Sequence, residues 1–380
     1  MTEPGYPAAR AIAARIQAHF SRHLAAAWAQ DQTTDLAPKP DEASIEAIID
    51  VAFWASLRRE EGVTPRISLA YMPPEATARP LTFERPLPLS PAALSRLAPA
   101  VERPGIHLGV WRDDQGDFRI WGTTRQLPVY CFVLEVVASG LLVVKHRTDS
   151  FGKFVNVAVL EGDQIKFVDE TSARVPDCPG VVASLLGVDV PGLRADGVNV
   201  LVQLAASMRA HGRGGALLVI PSANATWEDS IVHPVLYGVS PPFSELATLM
   251  ELAPEEADTH EWQQSLRRSV EAIAGLTAVD GATLINDRYE LVAFGTKITR
   301  RRGSPQVERI LMSEPVEGSV KEPVNPYQLG GTRHLSAAQF VHDQRDATAL
   351  VASQDGRFTI FKWSACEDMV HAHRVEALLL

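Results

Sequence analysis

Two short motifs near the end of the chain contain the residue types that hold a metal ion and a phosphate group. The first is Asp280-Gly281-Ala282, and the second is Gly330-Gly331-Thr332-Arg333-His334, about fifty residues later. The Asp280 carboxylate is a suitable ligand for Mg²⁺ or Mn²⁺ and can help to deprotonate a hydroxyl group. Gly281 leaves room for a ligand to pack against bare backbone.

The second motif has the composition of a phosphate-binding helix start. Backbone N–H groups at a helix N-terminus, together with the helix dipole, attract phosphate oxygens. Each motif also has a local explanation, because Asp-Gly is a common turn dipeptide and Thr332 could simply cap a helix. Together, the two motifs predict a site for a metal-bound nucleoside triphosphate.

Length and composition limit the other possibilities. The 380 residues are enough for two domains, and the net charge of −10 argues against a broad nucleic-acid surface. Three widely spaced cysteines form no CxxC pair, which is typical of a reducing compartment. The sequence contains neither a signal peptide pattern nor an apolar run of membrane-spanning length. We therefore expect a cytoplasmic protein that binds neither nucleic acid nor membrane.

The N-terminal half shows helical periodicity followed by strand alternation. Apolar residues predict helices over residues 8–28 and 44–58, and a strand over 66–71. A proline-rich stretch over 73–105 is expected to cover the surface, with one short helix near 91–97. Residues 105–169 alternate as a β-meander. These patterns indicate an α+β domain over residues 1–195.

The C-terminal half alternates helix and strand, which indicates an α/β (mixed α+β) fold. The continuously apolar segment 216–221 predicts a central strand between a helix over 200–211 and a charged helix over 254–274. Strands are expected over 282–285, 290–294, 347–353 and 357–363, with a helix over 337–342. Residues 299–329 read as a long loop, and 365–380 as a final amphipathic helix.

The order of several segments over residues 196–380 resembles the diadenylate cyclase domain, which condenses two ATP into cyclic di-AMP. The segments that carry the resemblance are Gly215-Ala216-Leu217-Leu218-Val219-Ile220, Trp227-Glu228-Asp229-Ser230-Ile231, Ser244-Glu245-Leu246, Asp280-Gly281-Ala282, Gly331-Thr332-Arg333-His334 and Asp346-Ala347-Thr348-Ala349-Leu350-Val351-Ala352-Ser353. The resemblance implies a central mixed sheet flanked by helices, with an insertion at about residues 252–274.

The resemblance also implies residue roles. Asp280 would bind Mg²⁺ or Mn²⁺ and activate a ribose 3′-hydroxyl, and Asp355 would be a second metal ligand. Arg333 and His334 would be the other catalytic residues. The residues expected to bind ATP are Gly281, Ala282, Gly331, Thr332, Arg333, His334 and Ser353.

The reaction implies a homo-oligomer, because each ATP attacks the other and one subunit supplies only one of them. Two sites must therefore face each other across a two-fold axis. The N-terminal half resembles the DACNV-type sensor region that precedes such cyclases. Four of its side chains could line a ligand pocket, although none is assigned to a site: His107, Trp111, Trp121 and His146.

One position departs from the resemblance. The family's second motif usually reads Arg-His-Arg, whereas this chain has Arg333-His334-Leu335, and leucine cannot donate a hydrogen bond to phosphate. A basic group at Lys297 or in the run Arg300-Arg301-Arg302 could substitute. Two alternatives therefore stay open: a cyclase-fold protein that binds ATP or cyclic dinucleotide without turnover, and a cyclase that makes a different nucleotide.

Overall fold

The computed structural model describes residues 5–29, 35–59, 62, 64–148, 154–174, 177–187, 200–223, 225–251 and 259–380. The chain divides into two compact units, Met1–Val168 together with Leu380, and Asp169–Leu379. The boundary expected between residues 195 and 196 lies outside the described residues. Within the described part of the chain, no helix combines the length and the apolar character needed to cross a membrane.

The first unit is an eight-stranded mixed sheet covered by helices. Its helices are α1 (Pro7–Ala29), α2 (Glu42–Ser56) and α3 (Pro91–Val101). Its strands are β1 (Ile67–Tyr71), β2 (Leu81–Pro88), β3 (His107–Arg112), β4 (Phe118–Thr124), β5 (Phe132–Ala138), β6 (Leu141–Arg147), β7 (Phe154–Glu161) and β8 (Gln164–Phe167). The strand order is β2-β4-β3-β1-β5-β6-β7-β8.

Amphipathic spacing explains how the first two helices pack. Ile12, Ile16 and Phe20 repeat every four residues along α1 and are fully buried in the core of this unit. Helix α2 begins where the Asp41 side chain accepts a hydrogen bond from the backbone N–H of Ser44 at 2.7 Å. The proline-rich stretch is less irregular than expected, because it contains the edge strand β2.

The second unit is built on a nine-stranded mixed sheet. Its helices are α4 (Gly180–Leu185), α5 (Val200–Ala210), α6 (Glu245–Glu251), α7 (His260–Leu276) and α8 (Thr332–Asp343). Its strands are β9 (Gly215–Ile220), β10 (Tyr237–Phe243), β11 (Ala282–Asn286), β12 (Leu291–Thr296), β13 (Ile310–Ser313), β14 (Glu322–Val324), β15 (Thr348–Ala352), β16 (Phe358–Ser364) and β17 (Met369–Arg374). The strand order is β10-β12-β11-β9-β15-β16-β17-β13-β14.

Strand β9 is central, as its apolar run predicts. It pairs in parallel with β11 and antiparallel with β15. Leu218 faces the core formed with α8, where Phe340 is fully buried, while Leu217 is equally buried on the opposite face. Both faces of the sheet are therefore covered, and the expected α/β class with a mixed sheet and flanking helices is confirmed.

The strand directions bring four chain segments to one edge of the sheet. Strands β9 and β11 begin there, because Ala216 pairs with Ala282. The antiparallel neighbours β15 and β12 end at the same edge, where Ala352 pairs with Gly215 and Thr296 pairs with Ala282. Residues just outside these four strand ends are therefore placed together, although they are distant in sequence.

Two sequence predictions about this unit are wrong. The final segment is not a helix: β17 lies between β16 and β13, and only Glu376–Leu378 forms a 3-10 turn. Strand pairing on both sides satisfies the backbone there, which outweighs the helix-like apolar spacing. The segment expected to be a long loop contains β13 and β14, which are the last two strands at one side of the sheet. The charged helix α7 begins at His260, and residues 252–258 of the expected insertion lie outside the described chain.

Candidate functional site

A cavity of about 480 Å³ opens at the sheet edge where β9 and β11 begin. Its volume is in the ordinary range for small-molecule sites. All the site residues predicted from the sequence except Asp355 line it. They are Asp280, Gly281, Ala282, Gly331, Thr332, Arg333, His334 and Ser353. Two motifs that are fifty residues apart in the chain thus share one pocket.

The carboxylate of Asp280 is almost fully exposed at the cavity wall. It accepts a hydrogen bond from Lys297 Nζ at 2.5 Å, and Lys297 also lines the cavity. This hydrogen bond lowers the pKa of Asp280, and the positive charges of Lys297 and Arg333 add to the effect. Asp280 is therefore ionised at neutral pH.

The packing of the backbone also requires a glycine at position 281. Its φ is +118°, and a Cβ at this position would stand 2.4 Å from the carbonyl carbon of Gly295 on β12. Only glycine permits this close approach of the two backbones. Gly281 also lines the cavity, so the same bare backbone that packs against β12 is open to a ligand.

The N-terminus of α8 faces the cavity. Gly331 is the N-cap residue, and no side chain caps the helix among the residues described. The first N–H groups of a helix have no acceptor within the helix, so those of Thr332 and Arg333 remain available to an anion. Thr332 itself is exposed and lines the cavity instead of capping the helix.

Arg333 contributes a positive charge and a hydrogen-bond donor, its Nε, to the site. Its Nε is buried and has no hydrogen-bond partner in the described part of the structure. Gly214, at a φ of +71°, makes space for the guanidinium, because a Cβ there would stand 3.3 Å from Arg333 Nη1. A buried donor without an acceptor costs roughly 1–3 kcal/mol. An anionic ligand in the cavity would supply that acceptor.

His334 lies deeper than the other motif residues. It is buried, and its ring stands 6.1 Å from Phe361 in an edge-on arrangement. Gly330 allows this packing, because a Cβ there would stand 2.6 Å from the imidazole. Desolvation by burial lowers the pKa of His334. The imidazole is therefore neutral at pH 7 and would act through hydrogen bonds, not as a charge.

Asp355 is the predicted site residue that does not line the cavity. It is exposed in the turn after β15, where hydrogen bonding by Ser353 lowers the pKa of its carboxyl. Its closest cation is Arg357, with Nε and Oδ2 3.4 Å apart. Asp355 is thus two residues from the cavity residue Ser353 in the chain but outside the cavity wall. Its role as a metal ligand stays a prediction.

Leu335 is half-buried and is not among the residues that line the cavity, whereas the next residue, Ser336, is. Sequence reasoning assigned no role to Ser336. The helical position that follows His334 therefore points away from the pocket, so its leucine adds no apolar side chain to the cavity wall. The sequence alone does not single out this serine, because it does not show which positions of the helix face the pocket.

The four basic residues that could replace the missing arginine differ in their positions relative to the cavity. Lys297 lines the cavity, whereas Arg301 is held elsewhere. The backbone N–H of Arg301 donates to Asp343 at 2.9 Å, and its guanidinium lies 3.4 Å from Asp229. Arg300 and Arg302 are exposed. Of the four basic residues, Lys297 is the one placed to contact a bound anion.

The first unit contains a cavity of its own, of about 590 Å³. His107, Arg125 and Phe154 are among its lining residues. His107 contacts the Ser68 hydroxyl at 2.7 Å, and desolvation by burial lowers the pKa of His107 to about 4. Trp121 instead belongs to the core, where its indole N–H donates to the Met72 carbonyl at 2.7 Å.

Comparison with known protein families finds one match, to part of the first unit. A family model described as "Probable sensor domain DACNV" matches residues 34–125. No curated protein matches the chain. Residues 34–125 are therefore similar to a sensor domain of the DACNV type, which supports the sensor part of the sequence prediction.

Proposed function

We propose that the second unit is a nucleotidyltransferase that condenses two ATP into cyclic di-AMP and two pyrophosphates, and that the first unit regulates it. The observation that carries the proposal is the cavity at the β9–β11 edge. It combines an ionised carboxylate, the N-terminus of α8 and the Nε of Arg333, which has no hydrogen-bond partner among the described residues. A metal-bound triphosphate needs these three features.

The residues present are suited to Mg²⁺ or Mn²⁺. Asp280 offers ionised oxygen donors at the cavity wall. Mg²⁺ is commonly held by one or two carboxylates together with substrate phosphates, so Asp280 and a triphosphate would suffice. When bound, such an ion would neutralise phosphate charge and favour ionisation of the ribose hydroxyl.

The residues of this chain would position both reacting groups. The N-terminus of α8 and Arg333 hold the triphosphate, and Asp280 lies near the ribose 3′-hydroxyl and assists loss of its proton. Each 3′-oxygen forms a bond to the α-phosphorus of the other ATP, and the bond to pyrophosphate breaks. Because both nucleotides react in this way, two subunits place their sites face to face. ATP supply is consistent with a cytoplasmic location.

Lys297 supplies the positive charge that Leu335 does not. Its ammonium donates a hydrogen bond to Asp280, the carboxylate that would hold a divalent ion. Both side chains are exposed, so this ion pair is weak and easily rearranged. We propose that the ammonium moves from Asp280 to the triphosphate when the metal–ATP complex enters.

Replacing Lys297 by Met is expected to raise KM for ATP by about 10- to 100-fold, since one charged contact to phosphate is worth roughly 1.5–3 kcal/mol. The same change should lower the metal concentration needed for half-maximal activity, because the competitor at Asp280 is gone. Both effects are measurable by steady-state kinetics with ATP and Mn²⁺ varied separately. Lys321→Met, at an exposed lysine outside the cavity, is the matched control and should change neither value. An unchanged KM for ATP in Lys297→Met would contradict the assignment.

A second candidate function is binding of ATP or cyclic dinucleotide without turnover, and Leu335 is the residue that favours it. Incubation of the purified protein with labelled ATP and Mn²⁺ or Mg²⁺ separates the two. The proposal expects cyclic di-AMP and pyrophosphate by chromatography, and none after removal of the metal with EDTA. ATP that remains bound and unchanged with both metals would support the second function. A different cyclic product would show another nucleotide specificity.

A further inference from the structure

Three imidazoles converge in the first unit. His19 and His23 are four residues apart on α1 and so share one face of the helix, and His146 is on β6. The ring centroids are 4.4 Å apart for His19 and His23, and 5.3 Å from each of these to His146. One ring nitrogen of each lies within 4.8 Å of the others.

This spacing is suitable for a shared metal ion. In a tetrahedral site with metal–nitrogen bonds of about 2.0 Å, neighbouring imidazole centroids stand roughly 5 Å apart. The observed separations need only small side-chain rotations to reach that geometry. We propose that His19, His23 and His146 bind one borderline divalent transition-metal ion such as Zn²⁺. Imidazole nitrogen suits Zn²⁺, Ni²⁺ and Cu²⁺, and suits Mg²⁺ poorly.

The surroundings of His146 fix a tautomer that can bind metal. Its Nδ1 donates to the backbone carbonyl of Arg147 at 3.3 Å, which leaves the lone pair on Nε2. A metal-ligating histidine commonly holds its second ring nitrogen in this way. The Nε2 atoms of His146 and His19 are both buried. The ion would therefore bind in a partly desolvated site, closed on two sides.

His19 requires one adjustment. The guanidinium of Arg22 lies 3.5 Å from Nδ1 of His19, at the outer limit of a hydrogen bond. Coordination through Nε2 places the ring proton on Nδ1, so the Arg22 guanidinium must move away when metal binds. Arg22 is exposed and on the same helix, which makes that movement inexpensive.

The backbone strain at Tyr130 is a second observation that points to a function for this cluster. It has a φ of +57°, which a tyrosine rarely adopts and which costs roughly 1–3 kcal/mol. This backbone places its ring 5.4 Å from His23 and 5.2 Å from His146. Its N–H donates at 2.9 Å to the same Arg147 carbonyl that holds His146. The ring of Tyr130 thus packs against two of the histidines, and its backbone binds the same carbonyl as His146.

The test uses the full-length protein without a polyhistidine tag, stripped with EDTA and titrated with Co²⁺. One equivalent should bind and give the strong visible absorption of four-coordinate Co²⁺. Zn²⁺ should displace it and Mg²⁺ should not. His23→Ala, at the half-buried ligand, should weaken Co²⁺ binding at least 100-fold, and His23→Gln should do the same if the alanine variant folds poorly. His233→Ala, at an exposed histidine of the second unit, should bind as the wild type does.

Two results would overturn the proposal. One is the absence of a four-coordinate Co²⁺ spectrum in the wild-type protein at one equivalent. The other is wild-type affinity in both His23 variants, which would place the metal elsewhere. Neither result bears on cyclic di-AMP synthesis, so this site and the nucleotide site are tested separately.

Discussion

The Asp280→Asn protein is expected to synthesise cyclic di-AMP about 1,000-fold more slowly than the wild type, with unchanged folding. Asparagine has the same shape but no charge, so it removes both the metal ligand and the group that assists loss of the 3′-hydroxyl proton. Losses of roughly 10²- to 10⁴-fold are typical for each such function. The Asp280 side chain is 87% exposed, so its replacement leaves the core untouched. Product formation is measured by chromatography, and folding by thermal denaturation.

Asp368→Asn is the matched control for Asp280→Asn. Asp368 is an exposed carboxylate of the same unit, 3.6 Å from Arg345, and its φ of +49° is well tolerated by asparagine. This variant should retain full activity. Substantial turnover by Asp280→Asn would show that another group holds the metal, and Asp355 would then be the first residue to examine.

The sequence predicts most of the residues that line the cavity, but not every constraint on them. Asp280, Thr332 and Arg333 can be assigned because their types in that order resemble a known domain. Gly281 was expected to make room for a ligand, and it also permits the close approach of Gly295. That second constraint depends on the pairing of β11 with β12, which local sequence does not encode.

The fold could be predicted from the sequence where a hydrophobic pattern alone specifies the element. It was less predictable where pairing with neighbouring strands decides between helix and strand. The periodicity of α1 and the apolar run of β9 specify their elements almost alone. The segment over β17 has an apolar spacing compatible with a helix, and it becomes a strand because β16 and β13 pair with it. The convergence of His19, His23 and His146 likewise depends on where α1 lies along β6, so spacing in the chain gives no sign of it.

Lys297 shows how the structure changes the significance of Leu335. The sequence offers four basic residues as substitutes and no means to choose among them. The cavity includes Lys297, while Arg301 is engaged with Asp229 and Asp343. Leu335 itself does not line the pocket. Lys297 therefore offers a positive charge just after β12, which the proposed function needs because position 335 has none.

Arg333→Met is expected to lower kcat/KM for ATP about 100- to 1,000-fold without lowering the stability of the ligand-free protein. Arg333 is in the first turn of α8 and lines the cavity, and charged hydrogen bonds to phosphate are among the stronger ones in proteins. The Nε of Arg333 is buried without a partner among the described residues, so replacing it by the methyl group of methionine removes an unmet donor. The two effects together distinguish a ligand-binding arginine from a structural one.

The measurement for Arg333→Met pairs steady-state kinetics with thermal denaturation, each with and without ATP and Mn²⁺. The wild type should gain stability from the nucleotide, and the variant should gain much less. Arg345→Met is the control: Arg345 lies over the Trp363 ring at 3.8 Å and does not line the cavity, so its loss should leave kcat/KM unchanged. A marked drop in the stability of ligand-free Arg333→Met, with catalysis preserved, would mean that Arg333 supports the fold and that the triphosphate depends on Lys297 and the helix N-terminus alone.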